Sequence, residues 1–324
     1  MNSRQRFLRT MNFDDTDRAP LLEEGIREGV LDIWRTKSFP ADASLSDFFT
    51  YDKRVEIALN LENELDLPKL ANLTNGLDIL QKNQDPKDKN RLPEEFYRDQ
   101  EAWREDDTIL MLEVHHGFFL TLGIEDWRSF AECIYMLMDK PDFVYKVMQL
   151  TGEFAASLTK KVLDEVEIEA AIFSEPIGGN HGSLISPDMY RKFVASSYQP
   201  IVDVLNQHDV NTIIARTYAN TREILPALFE TGINCLWACE YSSFGMDFQE
   251  IRRVFGNSVR LIGGLDLDIL RQGKDQMRQE MERRIPPLLE QGGYIPLLDG
   301  RVREDISFED YSYYRQLLEK IVQG

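Results

Sequence analysis

The sequence predicts an α/β fold, a (β/α)8 TIM barrel with N-terminal helical decoration, on three observations. Short apolar segments alternate with helical patterns from about residue 106 onward. Several of these segments end in polar side chains, as barrel strands do at the edge where such folds place their chemistry. The length of 324 residues suits one barrel, since about 250 residues plus insertions is typical. We therefore expect a single domain over residues 1–324.

Residues 1–105 carry the less regular part of the pattern and are predicted to be an N-terminal extension with the first barrel elements. Two helices are predicted here, over residues 3–11 and 25–36. Asp17–Pro20 predicts a turn that leads into the first inward segment. The stretch DPKDKNRLPEE, residues 85–95, is nearly all charge and turn formers and predicts an exposed connection.

Residues 106–324 are predicted to form regular βα units. The predicted strands are 108–112, 170–173, 210–214, 234–239, 259–264 and 294–298. The predicted helices are 124–138, 141–166, 187–207, 222–231, 246–255, 274–291 and a last one from Ser307. A doubly wound open sheet remains the competing arrangement. The missing glycine-rich phosphate fingerprint counts against it without excluding it.

Composition excludes some classes of function. A net charge of -19 and a pI near 4.7 argue against nucleic-acid or anionic-membrane binding, since both need a basic face. No apolar run approaches the ~20 residues that span a bilayer, and the first residues carry no signal-peptide core. Three cysteines do not indicate a disulfide framework. We expect a soluble, reduced, cytoplasmic protein with Cys235 and Cys239 in its core.

The stretch VNTIIARTYANT, residues 210–221, carries the strongest candidates. Arg216 could hold a substrate carboxylate or phosphate through its bidentate fork. Tyr218 and Asn220 could donate hydrogen bonds to a carbonyl or methoxy oxygen. Alternatively the polar ending is an ordinary solvated turn capped by Thr221, in which Asn220 holds the loop backbone and Arg216 makes a structural ion pair.

Two acids are the predicted partners in such a pair. Glu240 ends the strand NCLWACE and could accept a proton or bind a substrate hydroxyl, unless it pairs with a nearby arginine. Glu175 lies in SEPIGGNHG, where glycines allow close approach to a ligand. In the same loop, His181 could titrate near neutral pH, although a lone loop histidine is more often a plain hydrogen-bonder.

The remaining polar strand ends include Asp266, Arg301 and Arg303, and the adjacent His115 and His116, which point different ways in an extended segment. A metal centre built from the histidines with Glu175, His181 and Glu240 follows no spacing rule, and no metal is predicted. CLWAC is part of a predicted strand and is not a metal knuckle.

Four segments together resemble the uroporphyrinogen decarboxylase superfamily: RFLRTMNFDDTDRAP, LISPDMYRKF, RLIGGLDLDIL and GGYIPLLDGRV, in this order. The resemblance runs from about residue 4 to residue 321. It implies a (β/α)8 barrel with a deep cleft at the carboxyl ends of the strands, which Asp266 would face. The superfamily includes tetrapyrrole decarboxylases and methyltransferases that move a methyl group between a corrinoid and a thiol or methoxy compound.

The departures from the superfamily pattern bear on the subfamily. Decarboxylases carry an arginine-rich MRQAGR loop after the first Arg-x-Pro, but here Arg18–Pro20 is followed by LLEEG. An octacarboxylate would then meet Glu23 and Glu24, and one like-charge contact at ~4 Å costs a few kcal/mol. Thiol-activating members hold zinc through a His-x-Cys pair and a distant third ligand. Arg216, Tyr218 and Gly300 occupy those places, so such a zinc site is not expected.

The resemblance and these departures lead to one preferred prediction and two alternatives. The preferred function is a methyltransferase that moves a methyl group between a small oxygenated substrate and a corrinoid supplied by a partner protein. Glu240, Tyr218 and His181 would be catalytic, and Arg216, Asn220, Glu175, Asp266 and Arg301 would bind substrate. The first alternative decarboxylates a porphyrinogen or a smaller acid with Arg216, Arg301 and Arg303. The second is a binding protein without catalytic activity. The substrate and the oligomeric state stay open.

Overall fold

The computed structural model describes residues 1–63, 65–124, 126–239 and 245–324. They fall into two compact units, each described by itself. The central unit comprises Val55–Asp106 and Leu110–Asn234. The terminal unit comprises Met1–Arg54, Asp107–Ile109 and Cys235–Gly324.

The strands, in chain order, are β1 (Arg54–Ala58), β2 (Ile109–His115), β3 (Ala170–Glu175), β4 (Gly178–Gly179), β5 (Gly182–Ser183), β6 (Ile213–Tyr218), β7 (Cys235–Cys239), β8 (Arg260–Leu265) and β9 (Tyr294–Leu298).

The α-helices are α1 (Ser3–Met11), α2 (Val30–Arg35), α3 (Leu67–Leu70), α4 (Gly76–Asn83), α5 (Glu94–Glu105), α6 (Phe118–Thr121), α7 (Trp127–Asp139), α8 (Pro141–Leu163), α9 (Pro187–Met189), α10 (Ser196–Gln207), α11 (Leu225–Phe229), α12 (Phe248–Phe255), α13 (Lys274–Arg284), α14 (Pro286–Leu289) and α15 (Phe308–Gln323). A π-helical segment, Tyr190–Ala195, joins α9 to α10, and short 3-10 helices occur at Leu45–Asp47, Lys89–Arg91, Arg222–Ile224, Gly256–Ser258 and Leu267–Arg271.

In the central unit, β1, β2, β3 and β6 are neighbours in that order. β2 and β3 are parallel, as are β3 and β6, with Ser174 beside Arg216. The side chains of Leu112, Phe173 and Ala215 belong to the apolar core. Because neighbouring residues of a strand point to opposite faces, Glu113, Ser174 and Arg216 lie on the face turned away from that core.

In the terminal unit, β7, β8 and β9 are parallel neighbours, and Trp237, Ile262 and Ile295 lie side by side across them. Ile26 forms an isolated parallel bridge with Val302, just beyond β9. All five side chains of β7 and all five of β9 are buried, as expected for strands covered on both faces.

The structure confirms an α/β fold with parallel strands and corrects the strand count. Among the described residues there are seven long strands instead of the eight of a closed barrel. The segment after Pro20, predicted to be the first inward segment, forms only the bridge at Ile26. Conversely, β1 lies in a region where the sequence predicted irregular structure.

Several predicted helices are shorter or interrupted for identifiable reasons. The helix predicted over 274–291 divides into α13 and α14 where Pro286 and Pro287 follow Ile285, since proline cannot donate the helical hydrogen bond. The helix over 187–207 contains the π-helical segment, and that over 25–36 is reduced to α2.

The three cysteines are buried, as predicted for Cys235 and Cys239, and no disulfide joins them among the described residues. Among the described helices, none is both long enough and apolar enough to cross a membrane.

Candidate functional site

Arg216 of β6 lies between two carboxylates in the central unit. Its Nη1 donates to Glu56 Oε2 at 2.7 Å, and its Nη2 donates to Glu113 Oε2 at 2.5 Å. The side chains of Arg216, Glu56 and Glu113 are 13%, 25% and 23% exposed, so solvent still reaches the group. We call these three residues the Arg216 cluster. It carries one positive and two negative formal charges.

Three strands of one sheet, β1, β2 and β6, build this cluster through the same alternation. In β1, Glu56 stands between Val55 and Ile57, which pack toward the apolar core. In β2, Glu113 stands between Leu112 and Val114, which do the same. The charged side chain in each strand is therefore directed to the opposite face, where Arg216 also lies.

The cluster shifts the pKa of two of its members. Burial by itself would lower the pKa of the Arg216 guanidinium, but the charges of Glu56 and Glu113 outweigh it and the pKa is raised. Burial raises the pKa of the Glu113 carboxyl, Arg216 lowers it in part, and Glu56 raises it further, with a net upward shift. Arg216 thus stays charged, while Glu113 takes up a proton more readily than an ordinary glutamate.

Tyr218 and Asn220 follow Arg216 along the chain. Tyr218 shares its face of β6 and is half-buried. Ala219 has a positive φ of 57°, which turns the chain out of the strand. The Asn220 backbone N–H donates to the Gly179 carbonyl at 3.1 Å, and its Oδ1 accepts from the backbone N–H of Arg222 at 3.1 Å. Asn220 therefore holds the loop backbone, the alternative that the sequence left open.

Glu175 lies on the other face of the sheet, away from Arg216. Its side chain is fully buried; Oε1 accepts from the Phe118 backbone N–H at 3.0 Å, and Oε2 accepts from the Tyr198 hydroxyl. Burial raises the pKa of Glu175 to about 7, although both hydrogen bonds oppose the rise. An ion pair between Glu175 and Arg216, one of the predicted structural pairings, is therefore not formed.

His115 and His116 adjoin this buried acid. His115 Nδ1 accepts from the Gly117 backbone N–H at 2.9 Å, and its ring lies 4.8 Å from that of Tyr198. Burial lowers the pKa of both histidines, that of His116 to about 4, so both rings are neutral at pH 7. Gly117 has a φ of +93°, and a Cβ there would lie 2.5 Å from the Ser174 carbonyl oxygen. Any larger residue would force this corner apart.

His181 is exposed at the tip of the β4–β5 hairpin. Within the described parts of the chain, no three histidine, cysteine or acidic side chains are grouped so that they could hold a metal ion. The remaining predicted catalytic residue, Glu240, lies outside the described residues.

Asp266 and Arg301 belong to the terminal unit. Asp266 follows β8, and its Oδ1 accepts from the Asp268 backbone N–H at 2.8 Å. Burial raises the pKa of Asp266 against the opposing charges of Arg284, Arg271 and Arg303. Arg301 is exposed and donates to the Ile26 carbonyl at 2.8 Å. The structure thus describes these two residues in a different unit from Arg216.

Glu23 does not present its charge as predicted. Its Oε2 accepts from Arg315 Nη1 at 2.8 Å and from the Tyr311 hydroxyl at 3.3 Å, and its side chain is only 8% exposed. The acid is therefore matched inside the terminal unit. Glu24 is half-buried, with its Oε1 3.9 Å from Cys239 Sγ.

Sequence reasoning missed Glu56, Glu113 and Tyr198 as site residues. A signal existed for the two acids, since each stands between two apolar residues in the middle of a strand, in RVEIA and ILMLEVH. No local signal marks Tyr198, because it reaches Glu175 from a helix 23 positions away.

Comparison with known proteins gives the family. The uroporphyrinogen decarboxylase (URO-D) family model matches residues 125–299, more than half of the chain. The chain belongs to the uroporphyrinogen decarboxylase (URO-D) family. The family predicted from the four sequence segments is thereby confirmed.

Solved structures add a likeness of fold to this URO-D family assignment. A methyltransferase from Methanosarcina mazei is 13% identical, covers 99% of both chains and aligns with a TM-score of 0.61. An arginase from Helicobacter pylori is 9% identical over 81% of both chains, and its TM-score of 0.22 is too low to indicate a shared fold. No curated protein matches the sequence.

Proposed function

We propose that this URO-D family member is an enzyme, a methyltransferase that moves a methyl group between a small oxygenated substrate and a corrinoid carried by a partner protein. The Arg216 cluster carries the proposal, because its one guanidinium is already matched by two carboxylates beside Tyr218. A polycarboxylate would meet the net negative charge of this cluster. A neutral oxygenated compound would not.

The roles of the residues follow from the chemistry of the bond. When a methyl group leaves oxygen, the bonding electron pair stays on that oxygen, which must then gain a proton or a strong hydrogen bond. Tyr218 would donate that hydrogen bond. Arg216, held by Glu56 and Glu113, would polarise the same oxygen. Glu240 and His181 remain proposed as the residues that transfer the proton.

The corrinoid enters this proposal as a carried substrate and not as a resident cofactor. Of the adjacent histidines of β2 and its end, His115 is fully buried and His116 is half-buried, and the Nε2 of each is out of reach of solvent. Neither could ligate a cobalt ion without rearrangement.

A second candidate function is decarboxylation of a small carboxylic acid, and one observation favours it. Arg301 is exposed, and Arg303 follows two residues later in the terminal unit. The only described partner of Arg301 is a backbone carbonyl, so its charge is not matched by a close carboxylate. These two residues could hold a carboxylate. The substrate contacts proposed for Asp266, Asn220 and Glu175 remain predictions. A binding protein without catalysis is the third possibility.

One experiment separates the three functions. Purified protein is incubated with a reduced corrinoid and a panel of methoxylated compounds, and methylation of the corrinoid is followed by its absorption spectrum. In parallel it is incubated with uroporphyrinogen and with a panel of small carboxylic acids, and the products are separated by chromatography. We expect methyl transfer with at least one methoxylated compound and no decarboxylated product. Efficient decarboxylation of uroporphyrinogen or of a small acid would refute the proposal, and the absence of methyl transfer and of decarboxylation would favour the binding protein.

The Tyr218→Phe variant tests the proposed hydrogen bond. Removing a donor that acts in the transition state should lower kcat by roughly 100-fold, with little change in the melting temperature. Tyr97→Phe is the matched control, since Tyr97 is 47% exposed on α5. Metal analysis completes the test: a stoichiometric zinc bound at Arg216, Tyr218 or Gly300 would contradict the assignment of these positions.

A further inference from the structure

The fully buried carboxyl group of Glu175 ends β3 and forms no ion pair with any described residue. Its two described hydrogen-bond partners, the Phe118 backbone N–H and the Tyr198 hydroxyl, are neutral donors. A carboxylate that is taken out of water needs a cation or several donors to keep its charge. The charged form of Glu175 is therefore unfavourable in this part of the central unit, whereas the neutral form is not.

Three polar side chains near Glu175 are also fully buried. Thr217 is its register neighbour in β6, Tyr190 lies in the π-helical segment, and His115 ends β2. Thr217 Oγ1, Tyr190 Oη and His115 Nε2 have no hydrogen-bond partner among the described residues. A buried polar atom without a partner weakens the folded arrangement, and water that reached these three atoms would stabilise them. This region therefore gains from local opening.

The β4–β5 hairpin begins three residues after Glu175 and lies on the end of β6. Its two strands contain only two residues each, and an isolated bridge joins Gly179 to Asn220. A Cβ at Gly178 would lie 2.2 Å from the Tyr218 carbonyl oxygen, so the hairpin packs closely on β6. A movement that brings the side chain of Glu175 into water would also move this short hairpin.

We propose that Glu175 is a pH-sensitive switch, which opens the end of β3 and the β4–β5 hairpin when it loses its proton and so uncovers the end of β6 that carries Tyr218. Opening hydrates the carboxylate, so the pKa of Glu175 falls from about 7 toward its ordinary value of 4.5. The open form therefore binds fewer protons, and opening increases as the pH rises. These two pKa values correspond to a roughly 30-fold increase in the opening equilibrium between pH 5.5 and 8. The switch does not depend on the proposed methyl transfer.

The other titratable groups packed around this acid do not produce the same pH dependence. Burial raises the pKa of Tyr190 and Tyr198 well above 10, so both stay neutral. Burial lowers the pKa of His115 and His116, so an opening that reached them would increase at low pH, with the opposite sign. The Arg216 cluster lies on the opposite face of the sheet. A variant that changes only the acid therefore separates its effect from that of the histidines.

Native-state hydrogen exchange at pH 5.5 and pH 8 measures the opening. The amides of Leu184 and Asn220 report on it, because each donates to a carbonyl of the segment that opens. Glu175→Gln keeps the shape of the side chain and cannot titrate. After correction for intrinsic exchange rates, opening of wild type relative to Glu175→Gln should increase roughly 30-fold from pH 5.5 to 8. Glu223→Gln is the matched control, since Glu223 is an exposed acid beside the same hairpin, and it should keep the wild-type pH dependence. Equal pH dependence in wild type and Glu175→Gln would overturn the proposal.

Two further measurements address the group that titrates. The hydrogen bond from Tyr198 lowers the pKa of Glu175, so Tyr198→Phe should move the midpoint of the pH dependence to higher pH. If Tyr198 had only a structural role, the variant would exchange faster by the same factor at every pH, and an unmoved midpoint would refute the switch. Carbon-13 NMR follows the carboxyl group of Glu175 in folded wild type directly. Titration near 4.5 would likewise refute the switch, even if the hairpin opened with pH.

Discussion

Replacing Arg216 by methionine would remove the cation between the carboxylates of Glu56 and Glu113, on the face of the sheet turned away from the apolar core. Breaking a buried pair by removing one partner costs about 3–5 kcal/mol. Here Glu56 and Glu113 are about a quarter exposed, so solvent offsets part of that cost. We expect a loss of about 2–3 kcal/mol at pH 7, which corresponds to a fall in Tm of roughly 4–6 °C.

The loss should depend on pH in a defined direction. The pKa of Glu113 is raised in the folded protein above its ordinary value of 4.5. A carboxyl group with a raised pKa favours folding below its unfolded pKa and loses that contribution as the pH rises through the folded pKa. Without Arg216 the pKa rises further, so this loss grows toward pH 7. The difference in Tm between wild type and Arg216→Met should therefore shrink as the pH is lowered from 7 to about 5.

Thermal unfolding at both pH values, with substrate kinetics on the same samples, is the assay. Arg98→Met is the matched control, since Arg98 makes an ion pair with Asp99 on the exposed surface and should not change Tm. An Arg216→Met protein as stable as wild type at pH 7, or equally destabilised at both pH values, would refute the electrostatic reasoning. A changed KM beyond the stability loss would show that Arg216 also touches the substrate.

Two further substitutions test the buried group behind the sheet. The pKa of Glu175 is raised to about 7, so its contribution to stability is present below pH 4.5 and is lost as the pH rises through 7. The free energy of unfolding of Glu175→Gln, measured in urea, should increase relative to that of wild type between pH 5 and 8, by up to roughly 3 kcal/mol. A difference between the two proteins that stays constant over this range would contradict the pKa shift. Gly117→Ala should destabilise the protein by about 2–3 kcal/mol, because the φ of Gly117 is positive and a Cβ there would contact Ser174. Gly123 also has a positive φ, but a Cβ there would have no atom within 4 Å, so Gly123→Ala should cost less. Equal losses of stability in the two melting curves would argue against the steric reason.

The strands of the second half could be predicted because each is a short apolar run with a clear end. β8 and β9 lie within one residue of their predicted bounds, and β6 is shifted by three residues at its start and four at its end. β1 could not be predicted in this way, since RVEIA is short and partly charged and lies among loop signals. Its pairing beside β2 depends on residues more than 50 positions away, which no local pattern records.

The candidate site was predictable in its position and not in its pairing. Arg216 and Tyr218 were identified from the polar end of β6, and both lie on the face of that strand turned away from the apolar core. The described acids that bind Arg216 are Glu56 and Glu113, and they do not include the predicted Glu175, which is one residue out of phase with Ser174, the register neighbour of Arg216. The predicted pairing with Glu240 lies outside the described residues. In a strand, a shift of one residue moves a side chain to the opposite face.

This difference in phase bears on the reaction. The pKa of Glu175 is raised to about 7, and its carboxyl group accepts hydrogen bonds from Phe118 and Tyr198 on the core side of the sheet. Glu175 therefore adds little charge to the face on which Arg216 lies. Glu56 and Glu113 lie on the face turned away from the apolar core, where both bind Arg216. A polycarboxylate would meet the negative charge of these two acids, whereas a neutral methoxy compound needs a hydrogen-bond donor, which Tyr218 can supply. The charge of the Arg216 cluster therefore supports the proposed methyl transfer over decarboxylation of a polyanion.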